Sequence, residues 1–138
     1  MQTRFTLATD GPGLYEFTGQ VADWVRGTGV LTLFVQHTSS SLLIQENADP
    51  AVQRDLVAYF DRLVPPADDP AMGYLTHTQE GPDDMPAHIK AAMLPVSLQV
   101  LVSGGRLALG TWQGLYLFEH RRRPHRRQVA AMMVPAQS

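Results

Sequence analysis

The stretch VLTLFVQ, residues 30–36, decides the fold of this chain. It is a nearly continuous run of β-favouring residues, which predicts a central strand buried on both faces. His37 ends the run and is followed by four hydroxyl residues at 38–41. A histidine at the mouth of a buried strand is suited to a functional site, but histidines are also common as half-buried structural residues. The strand thus predicts a scaffold, and His37 is the first candidate site residue.

The apolar pattern on both sides of this strand predicts a β-rich scaffold with amphipathic helices. Asp49 is a good N-cap, and Pro50 suits the first position of the helix that follows. Gly104 and Gly105 form a two-residue hairpin signal. Strands are predicted at 3–9, 42–45, 74–76, 94–103, 106–109, 115–120 and 128–134, and helices at 14–26, 50–63 and 85–93.

Size and composition exclude several classes of protein. The 138 residues predict a single domain, and 44% hydrophobic against 17% charged residues leaves apolar surface for a homo-oligomer. A net charge of −2 gives no general attraction to nucleic acid or acidic membranes. The absence of cysteine means that a transition metal would need His, Asp or Glu ligands. Without a signal peptide or an 18-residue apolar run, we expect a cytoplasmic protein.

The segment from 74 to 88 concentrates the polar chemistry, with two histidines, three carboxylates, one glycine and two prolines in fifteen residues. His77 and His88, together with His37, are the candidate metal ligands, since three imidazoles and an open position are typical of catalytic zinc. The carboxylates are Glu80, Asp83 and Asp84, which could orient the imidazoles or transfer protons. The spacing matches no helical metal motif, so a set of unrelated surface histidines is the alternative.

Two further segments have competing interpretations. The basic run at 121–127 could bind a nucleic acid or a phosphate, but a solvated hairpin tip is favoured, with one or two arginines at its base facing an anion. Trp112 lies between Gly110 and Gly114, which indicates a bulge or a close backbone approach. Its ring could form a wall for a heterocycle, although packing beside the glycines is favoured.

These residues resemble the YjbQ family, also called UPF0047, whose members are secondary thiamine-phosphate synthase-like proteins. The resemblance runs from about Phe5 to Val134. It is strongest in a glycine placed five residues before Gly-Thr-Trp-Gln, which is highly specific. The matching blocks are 36–39, 46–50, His77, 80–81, 83–90, Gly105 and 110–115.

The resemblance implies an α+β fold, a β-sandwich of mostly antiparallel strands with two or three helices, assembled as a homotrimer. It also implies a zinc-like site at His37, His77 and His88, and a weak thiamine-phosphate synthase activity. In that reaction a pyrimidine pyrophosphate is joined to a thiazole phosphate, and pyrophosphate is released.

A reaction of this kind assigns provisional roles to the remaining polar residues. The metal, zinc or else magnesium with a pyrophosphate substrate, would stabilise the leaving group. Glu80 or Asp84 would transfer protons, and the donors of Ser39, Ser40 and Asn47 would hold phosphate oxygens. The other substrate-binding candidates are Trp112, Gln113 and Glu119. Two alternatives stay open: a metal-dependent hydrolase of a small phosphoester or amide, and a non-enzymatic trimeric metal- or ligand-binding protein.

Overall fold

The computed structural model describes residues 1–137, and the strands in this range form two antiparallel sheets. The first sheet has the strand order β1-β8-β3-β5-β6, and the second has the order β2-β7-β4. In chain order the elements are β1 Gln2–Asp10, β2 Gly13–Glu16, α1 Thr18–Trp24, β3 Gly29–Val35, β4 Ser40–Glu46, α2 Pro50–Leu63, a 3₁₀ turn Pro70–Met72, α3 Asp84–Met93, β5 Ser97–Ser103, β6 Arg106–Leu107, β7 Gln113–Glu119 and β8 Pro124–Pro135.

The hydrophobic core lies between the two sheets. Leu31 and Leu33 of β3 and Val129 of β8 project from the first sheet, and Leu42 of β4 and Leu117 of β7 project from the second. Alternate side chains of an antiparallel strand point to opposite faces, so each sheet contributes one face to this core. The α+β sandwich with helices is therefore confirmed.

The central strand β3 is confirmed in place but corrected in its burial. It pairs with β5 on one side and with β8 on the other. Only its inward residues are buried, because the outer face of its sheet carries no second layer, and Phe34 is 47% exposed. A run of apolar residues on both faces predicts burial on both faces, but here the outward set is left on the surface.

The helix predicted at 14–26 is wrong in its first turn. Residues 13–16 form β2, in which Tyr15 lies opposite Leu117 of β7, and the helix begins only at Thr18. Strand pairing with a segment about 100 residues away overrides the helical spacing of the apolar side chains. The buried Val21 then faces the core from α1.

The two glycine signals have the predicted structures. Gly104 and Gly105 both have positive φ, 57° and 79°, as a type I′ turn between β5 and β6 requires. At Gly114, an added Cβ would lie 2.6 Å from a Glu16 carboxylate oxygen, so the backbone approaches that side chain closely. β6 ends at Leu107, and the chain then crosses to the second sheet.

Two irregular segments also differ from the sequence prediction. Residues 74–76 form no strand and belong to the loop before α3. The basic run at 121–127 is not a hairpin tip along its whole length, because β8 already begins at Pro124 and Arg127 is buried. No helix within residues 1–137 is long and apolar enough to cross a membrane.

Candidate metal centre

Two histidines and one carboxylate converge where the loop at 74–83 meets α3. Asp84 and His88 lie one helical turn apart, so their side chains share a face, and His77 reaches them from the loop. Their ligand atoms all lie within 4.8 Å of one another. The Asp84 Oδ2 atom is 2.7 Å from His77 Nε2 and 3.2 Å from His88 Nε2. A single cation could therefore contact all three side chains.

The hydrogen bonding of His88 fixes which of its nitrogens faces this point. Its Nδ1 lies 2.9 Å from the carbonyl oxygen of Thr38. A carbonyl only accepts, so Nδ1 carries a hydrogen and donates it. In a neutral imidazole Nε2 then has a lone pair, and this lone pair faces the Asp84 carboxylate. Two acceptors this close need a cation between them, either a proton on His88 or a metal ion.

Arg121 holds Asp84 from the opposite side. Its Nη1 donates to Asp84 Oδ1 at 2.5 Å, its Nε donates to Asp83 Oδ2 at 2.9 Å, and its Nη2 donates to the Glu80 carbonyl at 3.2 Å. With one oxygen held by the guanidinium, Asp84 presents the other oxygen to both imidazoles. The sequence favoured a solvated hairpin tip for the basic run, with one or two arginines at its base facing an anion, and Arg121 at that base does contact two carboxylates.

The ionisation of Asp84 suits it to a cation. Its side chain is only 2% exposed, and this burial by itself raises the pKa. Hydrogen bonds with His77 and Glu80, and then the positive charge of Arg121, outweigh the burial and hold the pKa of Asp84 below its usual value. The carboxylate is therefore charged at neutral pH.

One side of the cluster is open to solvent. The His77 side chain is 50% exposed, and a Glu80 carboxylate oxygen lies 4.0 Å from His77 Nε2. Two imidazoles and a carboxylate are the ligand types of several catalytic zinc sites, in which a fourth position is left for water or substrate. The donor set fits zinc, and Glu80 stands beside the open position.

His37 does not join this cluster, which corrects the predicted set of three histidines. Its Nε2 accepts a hydrogen bond from the backbone N–H of Gln128 at 2.8 Å. Burial, and then the charge of Arg127, lower the pKa of His37, so the ring is neutral at neutral pH. The third candidate ligand, beside His77 and His88, is therefore Asp84, which was predicted to be a proton-transfer group.

A cavity of about 660 Å³ adjoins the cluster, and His37, which lies outside the cluster, forms part of its wall. His88 is common to both, because its ring also forms part of the cavity wall. The remaining wall is mostly apolar; its residues are Phe34, Val35, Gln36, His37, Thr38, Ala91, Ala92 and Val96. The cavity is of the size and character of a small-molecule pocket.

Three of the predicted catalytic and substrate residues belong instead to the protein interior. Glu119 is fully buried and forms an ion pair with Arg127, which also donates to the Ser39 hydroxyl at 2.9 Å. Ser40 is fully buried too, and its hydroxyl has no hydrogen-bond partner within residues 1–137. Glu119 and Ser40 therefore cannot reach a ligand at the surface, and Ser39 is held by the ion pair.

The other three predicted site residues, Asn47, Trp112 and Gln113, form a separate group near the start of β7. The Asn47 backbone N–H donates to the Trp112 carbonyl at 2.9 Å, and the Gln113 amide oxygen accepts from the Gly110 N–H at 2.8 Å. The Trp112 side chain is exposed instead of packed beside the glycines. The structure brings these residues to each other and not to His77 and His88.

The fold and the site together define a class: a two-sheet α+β protein with a His–Asp–His cluster beside a small-molecule cavity. Residues 3–136 match the model of the family described as UPF0047 protein YjbQ-like. The chain therefore belongs to the YjbQ-like UPF0047 family.

Individual relatives agree with this assignment. A UPF0047 protein of Synechocystis is 47% identical over 132 residues, which cover 93% of this chain and 87% of the relative. The UPF0047 protein YjbQ of Escherichia coli is 44% identical over 130 residues, covering 94% of this chain and 87% of its own length. A crystal structure of a conserved hypothetical protein from Thermus thermophilus superimposes with a TM-score of 0.84 at 33% identity, covering 96% of this chain and 99% of the other.

Proposed function

We propose that His77, Asp84 and His88 bind one divalent metal ion, zinc by the character of the donors, in an enzyme acting on a small phosphorylated substrate. The observation that carries this proposal is the convergence of the ligand atoms of His77, Asp84 and His88 within 4.8 Å of one another, with His88 Nδ1 held by the Thr38 carbonyl so that Nε2 faces Asp84. The Thr38 carbonyl orients the imidazole in the way that hydrogen-bonded partners orient histidine ligands in metal sites. When bound, zinc supplies a Lewis acid and lowers the pKa of water.

The residues around the cluster have distinct roles in this proposal. Arg121 keeps Asp84 ionised and turned toward the imidazoles. Glu80, close to His77 and largely exposed, is placed to accept or donate a proton at the open position. The cavity beyond His88 offers room for the uncharged part of a substrate. Ser39, Ser40, Asn47, Trp112, Gln113 and Glu119 lie outside the cluster, and this proposal assigns them no part in binding the metal.

The family resemblance favours a thiamine-phosphate synthase reaction, with magnesium accompanying a pyrophosphate substrate. Solvent access at His77 favours a second candidate, hydrolysis of a small phosphoester or amide, because water reaches the open position. Both use the same metal site, and a screen of phosphoesters against the zinc-loaded protein separates them from each other.

The zinc site is tested by elemental analysis of purified variants. His77→Ala should lose stoichiometric zinc, because it removes one of the three ligands. His37→Ala is the matched control and should keep zinc, because that imidazole accepts a backbone hydrogen bond elsewhere. Circular dichroism checks that both variants are folded. Full zinc in folded His77→Ala would overturn the proposal, and loss of zinc in folded His37→Ala would restore the three-histidine set.

A chelator distinguishes an enzyme from a non-enzymatic metal-binding protein. Structural zinc contributes to the free energy of folding, so its removal would lower the melting temperature sharply. In the enzyme proposed here, Arg121 already joins the loop to α3, because it donates to the Glu80 carbonyl and pairs with Asp84. Chelation should therefore abolish turnover while the melting temperature falls by only a few degrees, as measured by scanning calorimetry.

We further propose that the protein assembles as a homotrimer. The support is the outer face of the first sheet, where Phe34, Leu101, Met132 and Val134 are 43–64% exposed. The strand register places these side chains near each other. Phe34 of β3 lies opposite Ala130 of β8, and Val30 of β3 lies between Val134 of β8 and Leu101 of β5. A contiguous exposed apolar surface is typical of an interface. The family resemblance implies a homotrimer, so we take the partner to be another copy of this chain.

A further inference from the structure

A polar groove of about 650 Å³ adjoins the candidate metal centre and shares no lining residue with the apolar cavity. Glu80 connects the two, because it lines the groove and also approaches His77. The groove is lined by Gln79, Glu80, Gly81, Arg121, Arg123 and His125.

Arg123 differs from its neighbour Arg121 in having no partner. Arg121 is committed to Asp83, Asp84 and the Glu80 carbonyl. Within residues 1–137 the Arg123 guanidinium makes no hydrogen bond or ion pair. Its five N–H donors are therefore free to bind a ligand in the groove.

His125 adds a second group to the same wall. Its Nδ1 lies 2.7 Å from the Arg123 carbonyl oxygen, so Nδ1 carries a hydrogen and donates it. This bond holds the ring against the backbone that carries Arg123. In the neutral ring Nε2 is then an acceptor, which can take a hydrogen bond from a protonated oxygen of a phosphate group.

The balance of charge decides which ligand the groove takes. Glu80, Asp83 and Asp84 carry three negative charges near the cluster, and Arg121 compensates one of them. A divalent ion at the cluster compensates the other two, because a bound cation reverses the local electrostatics. The positive charge of Arg123 then remains unbalanced, so the groove favours an anion when metal is bound.

We propose that this groove is an oxyanion subsite in which Arg123 and His125 hold the phosphate group of the substrate next to the metal. This inference rests on the proposed metal centre and adds the residues that recognise the charged part of the substrate. A planar guanidinium matches phosphate oxygens in a two-pronged contact. The substrate would thus place its phosphate in the groove and its uncharged part toward the cavity beyond His88.

The test is a calorimetric titration of inorganic phosphate into the zinc-loaded protein, with zinc content measured on the same samples. Arg123→Ala should weaken phosphate binding about tenfold to hundredfold, as expected for charged hydrogen bonds. Arg122→Ala is the matched control: it removes the same charge one residue away, from a side chain that lines a different cavity. It should change the affinity by less than threefold. Zinc-free wild-type protein should bind phosphate at least tenfold more weakly than zinc-loaded protein.

Each failure has its own signature. Equal affinities of the zinc-loaded Arg123→Ala and Arg122→Ala variants would overturn the subsite while leaving the metal centre intact. Equal phosphate affinity with and without zinc would overturn the coupling between groove and metal, and the subsite with it. A wild-type protein that retains no zinc would overturn the proposed function together with this inference.

Discussion

Among individual residues, Asp84 connects the structural and the functional parts of the site. One carboxylate oxygen accepts from Arg121, and the other faces two imidazoles. The three residues of this cluster are recognisable in the sequence, but Asp84 was predicted to transfer protons and His37 to bind the metal. The spacing of the chain could not decide between them, because the partner of His37 is a backbone N–H that lies 91 residues away in sequence. A hydrogen bond between residues so far apart in sequence leaves no pattern around either residue that could predict it.

His120 gives a prediction for the dependence of stability on pH. Burial, and then the charge of Lys90, lower its pKa to about 3 from 6.5. The folded pKa is depressed, so the stabilisation is present above pH 6.5 and is lost as the pH falls toward 3, because only the unfolded chain takes up the proton. Between pH 7 and pH 5 this residue should cost about 2 kcal/mol of the free energy of unfolding.

Urea unfolding at the two pH values, with chelator present, measures this cost. His120→Gln should show a smaller loss between pH 7 and pH 5 than the wild type, by about 2 kcal/mol. His125→Gln is the control and should keep the wild-type loss, because that ring is only half-buried and lies in the wall of the polar groove, outside the core. An unchanged pH dependence in His120→Gln would show that the buried imidazole is not the source.

Among the secondary-structure elements, α2 was predicted with both of its ends. Asp49 and Pro50 are a local start signal, and the structure has the Asp49 Oδ1 atom accepting from the Ala51 N–H at 2.9 Å. β2 was missed because its signal is not local: residues 13–16 become a strand only by pairing with β7. Elements specified by their own residues were predictable, and those specified by a distant partner were not.

The cap of α2 should contribute measurably to stability, since none of the helix residues is fully buried. Asp49→Ala removes the acceptor for a backbone N–H in the first turn and should lower the free energy of unfolding by about 1 kcal/mol. Asp49→Asn keeps an acceptor and should stay within about 0.5 kcal/mol of the wild type. Urea denaturation of the three proteins measures both values. Equal losses in the two variants would mean that the side chain acts through its charge and not as a cap.

For the whole molecule, the apolar outer face of the first sheet predicts the oligomeric state. Light scattering should give the mass of three copies of the 15.2 kDa chain. Met132→Lys should shift this mass toward the monomer, because a lysine there would be buried without a partner in the interface. Tyr59→Lys is the control, since Tyr59 is also exposed but lies on α2, and its mass should not change. A wild-type mass of one chain would contradict the trimer, and an unchanged mass for Met132→Lys would place the interface elsewhere. The inward residues of the central strand thus form the core, and its outward residues are available to a second copy. Both sets are largely apolar, so the sequence does not show which face has which role.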